Sequence, residues 1–243
     1  MPKPAILLIR PTNRLAQDYA LCEAAGWQPI PFSPMAICPE AVALARFPAQ
    51  YQQADAVFWV SPSAVETAQT VWTFPQQDNT PNIAVGKATA KALQQAHCPR
   101  IICPEQGNDS EAVAQLAIWQ TLPPNAQIVL VRGQGGREWL ANHLRERSFR
   151  VSCAEIYRRQ TLALDWTLWQ TAAIQAAWVT SRELVHSLFQ QAPANMVQTL
   201  QSLLYFTHHP RIAEALYQAG VQRVEIITAL DAATLLDQRE KCR

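Results

Sequence analysis

The sequence predicts an α/β protein built from two similar domains, each a mostly parallel sheet flanked by helices. Three observations predict it. Apolar runs of strand length recur through the 243 residues, with helical patterns between most of them. The runs are continuous rather than alternating, as expected of strands covered on both faces. The order of the runs also repeats itself, at an offset of about 120 residues.

In chain order the strand-like runs are AILLI (5–9), AVFWV (56–60), IAV (83–85), RIIC (100–103), IVLV (128–131), AAWVT (176–180), LLYFT (203–207) and VEII (224–227). Helical spacing follows at 64–71, 89–96 and 212–219, and a further helix is expected to start near Glu138. The repeat pairs 6–37 with 128–159, each read as strand, terminal arginine, turn, helix and second strand. It pairs 56–68 with 176–188 and 83–96 with 204–220. Periodicity leaves the domain boundaries open between two readings. One splits the first domain into 1–34 plus 161–243, inserts a second at 38–157, and leaves 35–37 and 158–160 as the connector. The other cuts two consecutive domains near 122–127, where LPPNAQ has linker character.

Composition narrows the function. Hydrophobic residues make up 49% and charged residues 16%, enough to fill a core and too apolar for disorder. The net charge of +1 and the lack of basic runs argue against nucleic acid. An anionic ligand would need locally placed cations or backbone donors. The six cysteines form no C-x-x-C pair and read as reduced thiols. The opening MPKPAILLIRP has an apolar run too short for a signal peptide or a membrane span, so a soluble cytoplasmic protein is expected.

Ligands of such folds sit outside the carboxyl ends of the strands. The residues expected there are Arg10, Pro11 and Thr12; Ser61 to Ser63; Gly86 to Thr89; Arg132 to Arg137; Thr180 to Arg182; and Thr207 to Arg211. Hydroxyls, helix-start amides and arginines suit carboxylate or phosphate. Each also has a structural reading. Ser61 and Ser181 fit helix N-caps, Thr89 fits a helix interior, and Arg10 and Arg132 fit local ion pairs. A second arginine follows each turn, Arg14 and Arg137. His208-His209 lies at a strand end without the ligand spacing of a metal site, and no metal is expected. Tyr157 closes the strand-like AEIY beside Arg158 and Arg159, and reads either as a general acid or as an aromatic packing a hinge.

Several stretches occur together in a familiar order: LLIRP, VFWVSPSAVE, AVGKATAKAL, NDSEAVAQL, LVRGQGGREWLANHL, AEIYRR and WVTSRELV. With them the chain resembles the uroporphyrinogen-III synthase family over nearly its whole length. The resemblance implies the split architecture, with a two-stranded connector and a cleft between the domains. It implies a cytoplasmic, monomeric lyase of haem biosynthesis that needs no cofactor. The substrate would be hydroxymethylbilane, a linear tetrapyrrole octacarboxylate, closed to uroporphyrinogen III with ring D inverted and water lost. No nucleic-acid or membrane partner is implied; a transient hand-over from the preceding pathway enzyme is. Tyr157 matches the family's tyrosine and becomes the expected general acid, while Ser61, Thr89 and Ser181 match positions lining the cleft. Arg10, Arg132, Arg137 and Thr207 complete the expected substrate contacts. The text departs from the family at His209, Ile212 and Asp231, where glycine, threonine and a hydroxyl residue are usual.

Two other readings compete. One is a two-domain module that binds an anionic small molecule without catalysis. The other is a nucleotide enzyme using Gly133, Gly135 and Gly136, with Glu155 as a ribose-binding acid. Its glycines miss the G-x-G-x-x-G fingerprint, because Glu138 takes the last position.

Overall fold

A computed structural model of the chain describes residues 3–11, 15–228 and 230–241, the last four in backbone only. In chain order the elements are β1 (Pro4–Ile9), α1 (Leu15–Ala24), β2 (Gln28–Pro31), β3 (Met35–Pro39), α2 (Ala41–Gln52), β4 (Ala56–Trp59), α3 (Pro62–Ala68), β5 (Asn82–Ala84), α4 (Lys87–Gln95), β6 (Ile101–Ile102), α5 (Ser110–Ala114), α6 (Ile118–Thr121), β7 (Gln127–Gly133), α7 (Trp139–Glu146) and β8 (Arg150–Thr161). A short 3-10 helix (Trp166–Gln170) leads into β9 (Ala173–Val179), α8 (Arg182–Gln191), α9 (Ala194–Ser202), β10 (Leu204–Thr207), α10 (Pro210–Gln218), β11 (Arg223–Ile226) and α11 (Ala232–Lys241).

The chain divides into two units, residues 1–36 with 160–243, and residues 37–159. It passes from one unit to the other within β3 and β8, which are neighbours in one sheet. The Glu40 N–H donates to the Ile156 carbonyl at 2.9 Å and the Leu162 N–H to the Pro34 carbonyl at 2.9 Å, so the two strands run in opposite directions.

The first unit holds a five-stranded sheet in the order β11-β10-β9-β1-β2, parallel throughout. The second holds the order β3-β8-β7-β4-β5-β6, with β8 through β6 parallel. The sequence repeat explains the likeness. β1 and β2 correspond to β7 and β8, β9 to β4, and β10 to β5, so both sheets carry equivalent strands in the same spatial order. The central strands are apolar on both faces: every residue of Ala56–Trp59 and of Leu204–Thr207 is buried. Such strands need helices on both sides, and each unit accordingly has two core clusters, one per sheet face. α2 carries Pro48 inside it, a residue that reads as a breaker in sequence. Burial of Leu44, Phe47 and Tyr51 on the same helix offsets the lost hydrogen bond.

Strand order reverses beside β1 in the first unit and beside β7 in the second. β1 runs on to β2 on one side and has β9 on the other, and β7 has β8 and β4. Crevices at such switch points, at the carboxyl ends of the strands, are where ligands bind in this architecture. No helix among the described residues is long and apolar enough to cross a membrane.

Candidate active site

At the switch point of the second unit three adjacent strands meet through three residues. Tyr157 comes from β8, Gly133 ends β7, and Ser61 follows β4. The β7–β8 register is even as far as Arg132↔Glu155, then shifts so that Gly133 faces Tyr157. This bulge places Ile156 and Tyr157, consecutive in sequence, in the same core cluster. Val129 and Val131 of β7, and Val57 and Trp59 of β4, line that same face, so positions 133 and 61 continue it.

Tyr157 is fully buried. Its ring lies on the backbone of Gly133: a Cβ built there would come within 2.5 Å of Tyr157 Cε2 and 2.8 Å of Cζ. With strands about 4.8 Å apart, the side chain must pass over β7 to reach β4, and the missing side chain at 133 opens that path. The phenol oxygen ends 3.1 Å from Ser61 Oγ. Ser61 also caps α3, accepting the Ala64 N–H at 3.1 Å. The Arg159 guanidinium carbon lies 5.8 Å from the centre of the Tyr157 ring. Thr89 is buried in the first turn of α4, after the neighbouring strand β5.

Arg132, expected to contact substrate, has its donors committed inside the protein. Its Nε and Nη2 donate to Glu155 Oε1 at 3.1 and 2.9 Å, Nη2 also to Glu138, and Nη1 to the Gly136 and Arg137 carbonyls, both at 3.2 Å. A guanidinium has five N–H donors, and all are engaged, three on the turn after β7 and two on Glu155 of β8. Burial opposes the charge, but the Glu138 hydrogen bond and the neighbouring carboxylates outweigh it and raise the Arg132 pKa above its ordinary value. The same contacts give Glu155 a structural role that needs no ribose, since its Oε1 is held by Arg132. Arg137 projects into solvent, 65% exposed, and pairs with Glu111 at 2.8 Å.

The matching edge of the first unit is built from Arg10, Ser181 and Thr207. Arg10 Nη1 pairs with the buried Asp18 of α1 at 2.6 Å. Ser181 caps α8 by accepting the Leu184 N–H at 3.2 Å. Thr207 is fully buried at the end of β10. Three buried polar atoms near this edge, Arg10 Nε, Trp178 Nε1 and Thr207 Oγ1, have no hydrogen-bond partner among the described residues. Thr12 and Arg14 lie outside the described residues.

The remaining candidates take structural places. His209 caps α10, its Nδ1 accepting the Arg211 N–H at 3.1 Å. Asp231 accepts the Thr234 N–H and hydroxyl, both at 2.9 Å, and these bonds hold its carboxyl below the ordinary range. Among the described residues no group of three or more His, Cys, Asp or Glu could hold a metal. Burial pushes the Cys22 and Cys98 thiols up to about 12, so neither offers a thiolate near neutral pH.

Sequence reasoning missed Gly133 as the bed of Tyr157 and Trp178 as a buried donor without a partner among the described residues. A glycine ending an apolar strand was the available signal for the first, since it marks close approach of another group. Trp178 carried no signal beyond its place in a strand.

Together these features define a doubly wound α/β protein of two repeated units, with a buried tyrosine hydroxyl held by a serine at one carboxyl edge. The sequence profile described as uroporphyrinogen-III synthase HemD matches residues 17–233. The chain belongs to the uroporphyrinogen-III synthase family. It is 31% identical over 205 residues to the uroporphyrinogen-III synthase of Escherichia coli (strain K12), covering 79% of this chain and 78% of that protein. It is 37% identical over 89 residues to that of Proteus mirabilis, covering 34% of this chain and 44% of that protein. Among solved structures, a mutant uroporphyrinogen III synthase from the extremely thermophilic bacterium Thermus thermophilus is similar at a TM-score of 0.61 and 20% identity, over 99% of this chain and 100% of that one. Uroporphyrinogen-III synthetase from Helicobacter pylori 26695 is similar at 0.58 and 16%, over 99% and 100%. At these identities the structures establish a shared fold.

Proposed function

We propose that this chain is a lyase that closes hydroxymethylbilane to uroporphyrinogen III. The observation that carries the reading is the Tyr157 hydroxyl, held 3.1 Å from Ser61 Oγ at a carboxyl sheet edge, in a chain of this family. The reaction needs a proton for the departing ring A hydroxyl, which leaves as water. The azafulvene cation left behind is attacked by the substituted carbon of ring D. The resulting spiro intermediate fragments and recloses with ring D inverted. A proton is released as the ring regains aromaticity, so the step balances without a cofactor. Tyr157 supplies the first proton and takes back the last.

Positioning counts for as much as acid catalysis, because the uncontrolled closure gives the type I isomer. Ser61 and Thr89 on one edge, and Arg10, Ser181 and Thr207 on the other, are proposed contacts for the substrate's carboxylates and pyrrole rings. The Arg10 N–H and the Thr207 hydroxyl, without hydrogen-bond partners among the described residues, support their inclusion. Arg137 gives Glu111 one hydrogen bond from Nη2, and the rest of its exposed guanidinium is proposed to take a substrate carboxylate. Arg132 contributes by holding the turn in place. The substrate closes spontaneously if left free, which favours a transient hand-over from the enzyme that makes it, in the cytoplasm.

The test is to give the purified protein hydroxymethylbilane and resolve the oxidised products by isomer. Type III product is expected; type I alone, at the rate without enzyme, overturns the reading.

A further inference from the structure

The Tyr157 hydroxyl is the expected acid, yet the residue has no exposed surface. Its ring is sealed between the Gly133 backbone and the core of its own unit. The group that does reach the surface is Ser61, which is partly exposed and bonded to the phenol oxygen. Ser61 Oγ accepts the Ala64 N–H. A serine hydroxyl has two acceptor lone pairs and one hydrogen. With Tyr157 as the donor, the bonds from Ala64 and Tyr157 fill the lone pairs and leave the hydrogen pointing elsewhere. A hydroxyl that accepts two hydrogen bonds becomes a better donor, because bonds in a chain polarise one another.

We propose that Ser61 is the group that touches the substrate's departing hydroxyl and relays the Tyr157 proton to it. This deepens the cyclase reading and rests on it. In the step, the Ser61 O–H bond breaks as its proton passes to the leaving oxygen, and the carbon–oxygen bond of the hydroxymethyl group breaks to give water and the azafulvene cation. The Tyr157 proton moves to Ser61 Oγ in the same event, which restores the serine and leaves a phenolate. The proton released when the macrocycle regains aromaticity returns through Ser61 to Tyr157, and the enzyme is as it began.

A cap-only or binding-only role for Ser61 predicts different results. Ser61→Gly removes the relay but keeps nearly all the capping stability, since glycine is a good N-cap. Its kcat is expected to fall about 10²–10⁴-fold, the range of a lost general acid, with KM and melting temperature close to wild type. Tyr157→Phe should fall to the same level, and the double variant no further. Ser61→Thr, which keeps the hydroxyl, should recover most of the turnover. In mixtures of light and heavy water the wild-type rate should follow a bowed curve, two protons moving in one step. A straight line, additive losses in the double variant, or a Ser61→Gly variant changed in KM alone would each overturn the relay while the type III product stands. Wild-type protein that makes no type III product would overturn the cyclase reading and the relay with it.

Discussion

The phenol ring of Tyr157 occupies the space that a side chain at Gly133 would need. A methyl group there would overlap Cε2 and Cζ of the ring, and the nearest atoms of the conflict belong to the rigid aromatic itself. Gly133→Ala therefore cannot be absorbed by a flexible chain end. Overpacking of this kind costs roughly 1–3 kcal/mol, and the ring moves off β7 to relieve it. The expected outcome is a folded protein, destabilised by about that amount, whose type III turnover drops at least as far as that of Tyr157→Phe. Denaturant unfolding and isomer-resolved turnover check it. Wild-type turnover would mean that the bed of Tyr157 is not needed.

This relationship also marks how far the sequence could be read. The strand runs, the doubling of the α/β pattern and the caps at Ser61 and Ser181 were legible, because each rests on local residue type and spacing. The turn after β7 was legible only as electropositive and glycine-rich. Its counterpart after β1 has Pro11 where Gly133 stands, so the glycine is not demanded by the repeated fold. Its reason lies one strand away, in a ring delivered by a bulge between Arg132 and Gly133. Bulges leave no mark in periodicity, and a cross-strand contact separated by 24 positions leaves none in local pattern. The engagement of Arg132 inside the protein was hidden for a similar reason. Its partner Glu155 is likewise brought in by register, beside the local Glu138.

Arg132 and Glu155 allow a test that separates scaffold from substrate contact. Lysine keeps the charge of Arg132 but offers three donors at one point, and cannot hold two carboxylates and two carbonyls together. Arg132→Lys is expected to lose roughly 2 kcal/mol, less than a fully buried pair would, because Glu138 and Glu155 can be solvated once released. KM of the folded fraction should change by less than about threefold. Loss of a direct charged hydrogen bond to a substrate carboxylate would instead raise KM roughly tenfold or more.

The same cluster sets a pH dependence. The hydrogen bond from Arg132 holds the Glu138 carboxyl below its ordinary 4.5, against the opposing effect of desolvation. A carboxylate with a depressed native pKa stabilises the fold above its unfolded pKa, and that contribution fades as pH falls through the native value. The wild-type melting temperature should thus fall more steeply than that of Glu138→Gln between about pH 5 and about pH 3. Above that window the wild type should be the more stable of the two. Parallel melting curves across the range would show that Glu138 adds nothing.

Thr207 offers the opposite balance, a gain in stability at the expense of function. Its hydroxyl is buried at the carboxyl end of β10 with no partner among the described residues. An unsatisfied buried hydroxyl costs on the order of 1 kcal/mol or more, and an apolar group of the same shape removes that cost. Thr207→Val keeps the β-branched shape of a residue already in a fully buried strand, so repacking is slight. The variant is expected to be more stable by about 1 kcal/mol. If the hydroxyl is held open for a substrate carboxylate, KM should rise while kcat stays near wild type, since the lost contact is made equally in the ground and transition states. A stabilised variant with unchanged KM would remove Thr207 from the proposed binding edge and leave it as a core residue.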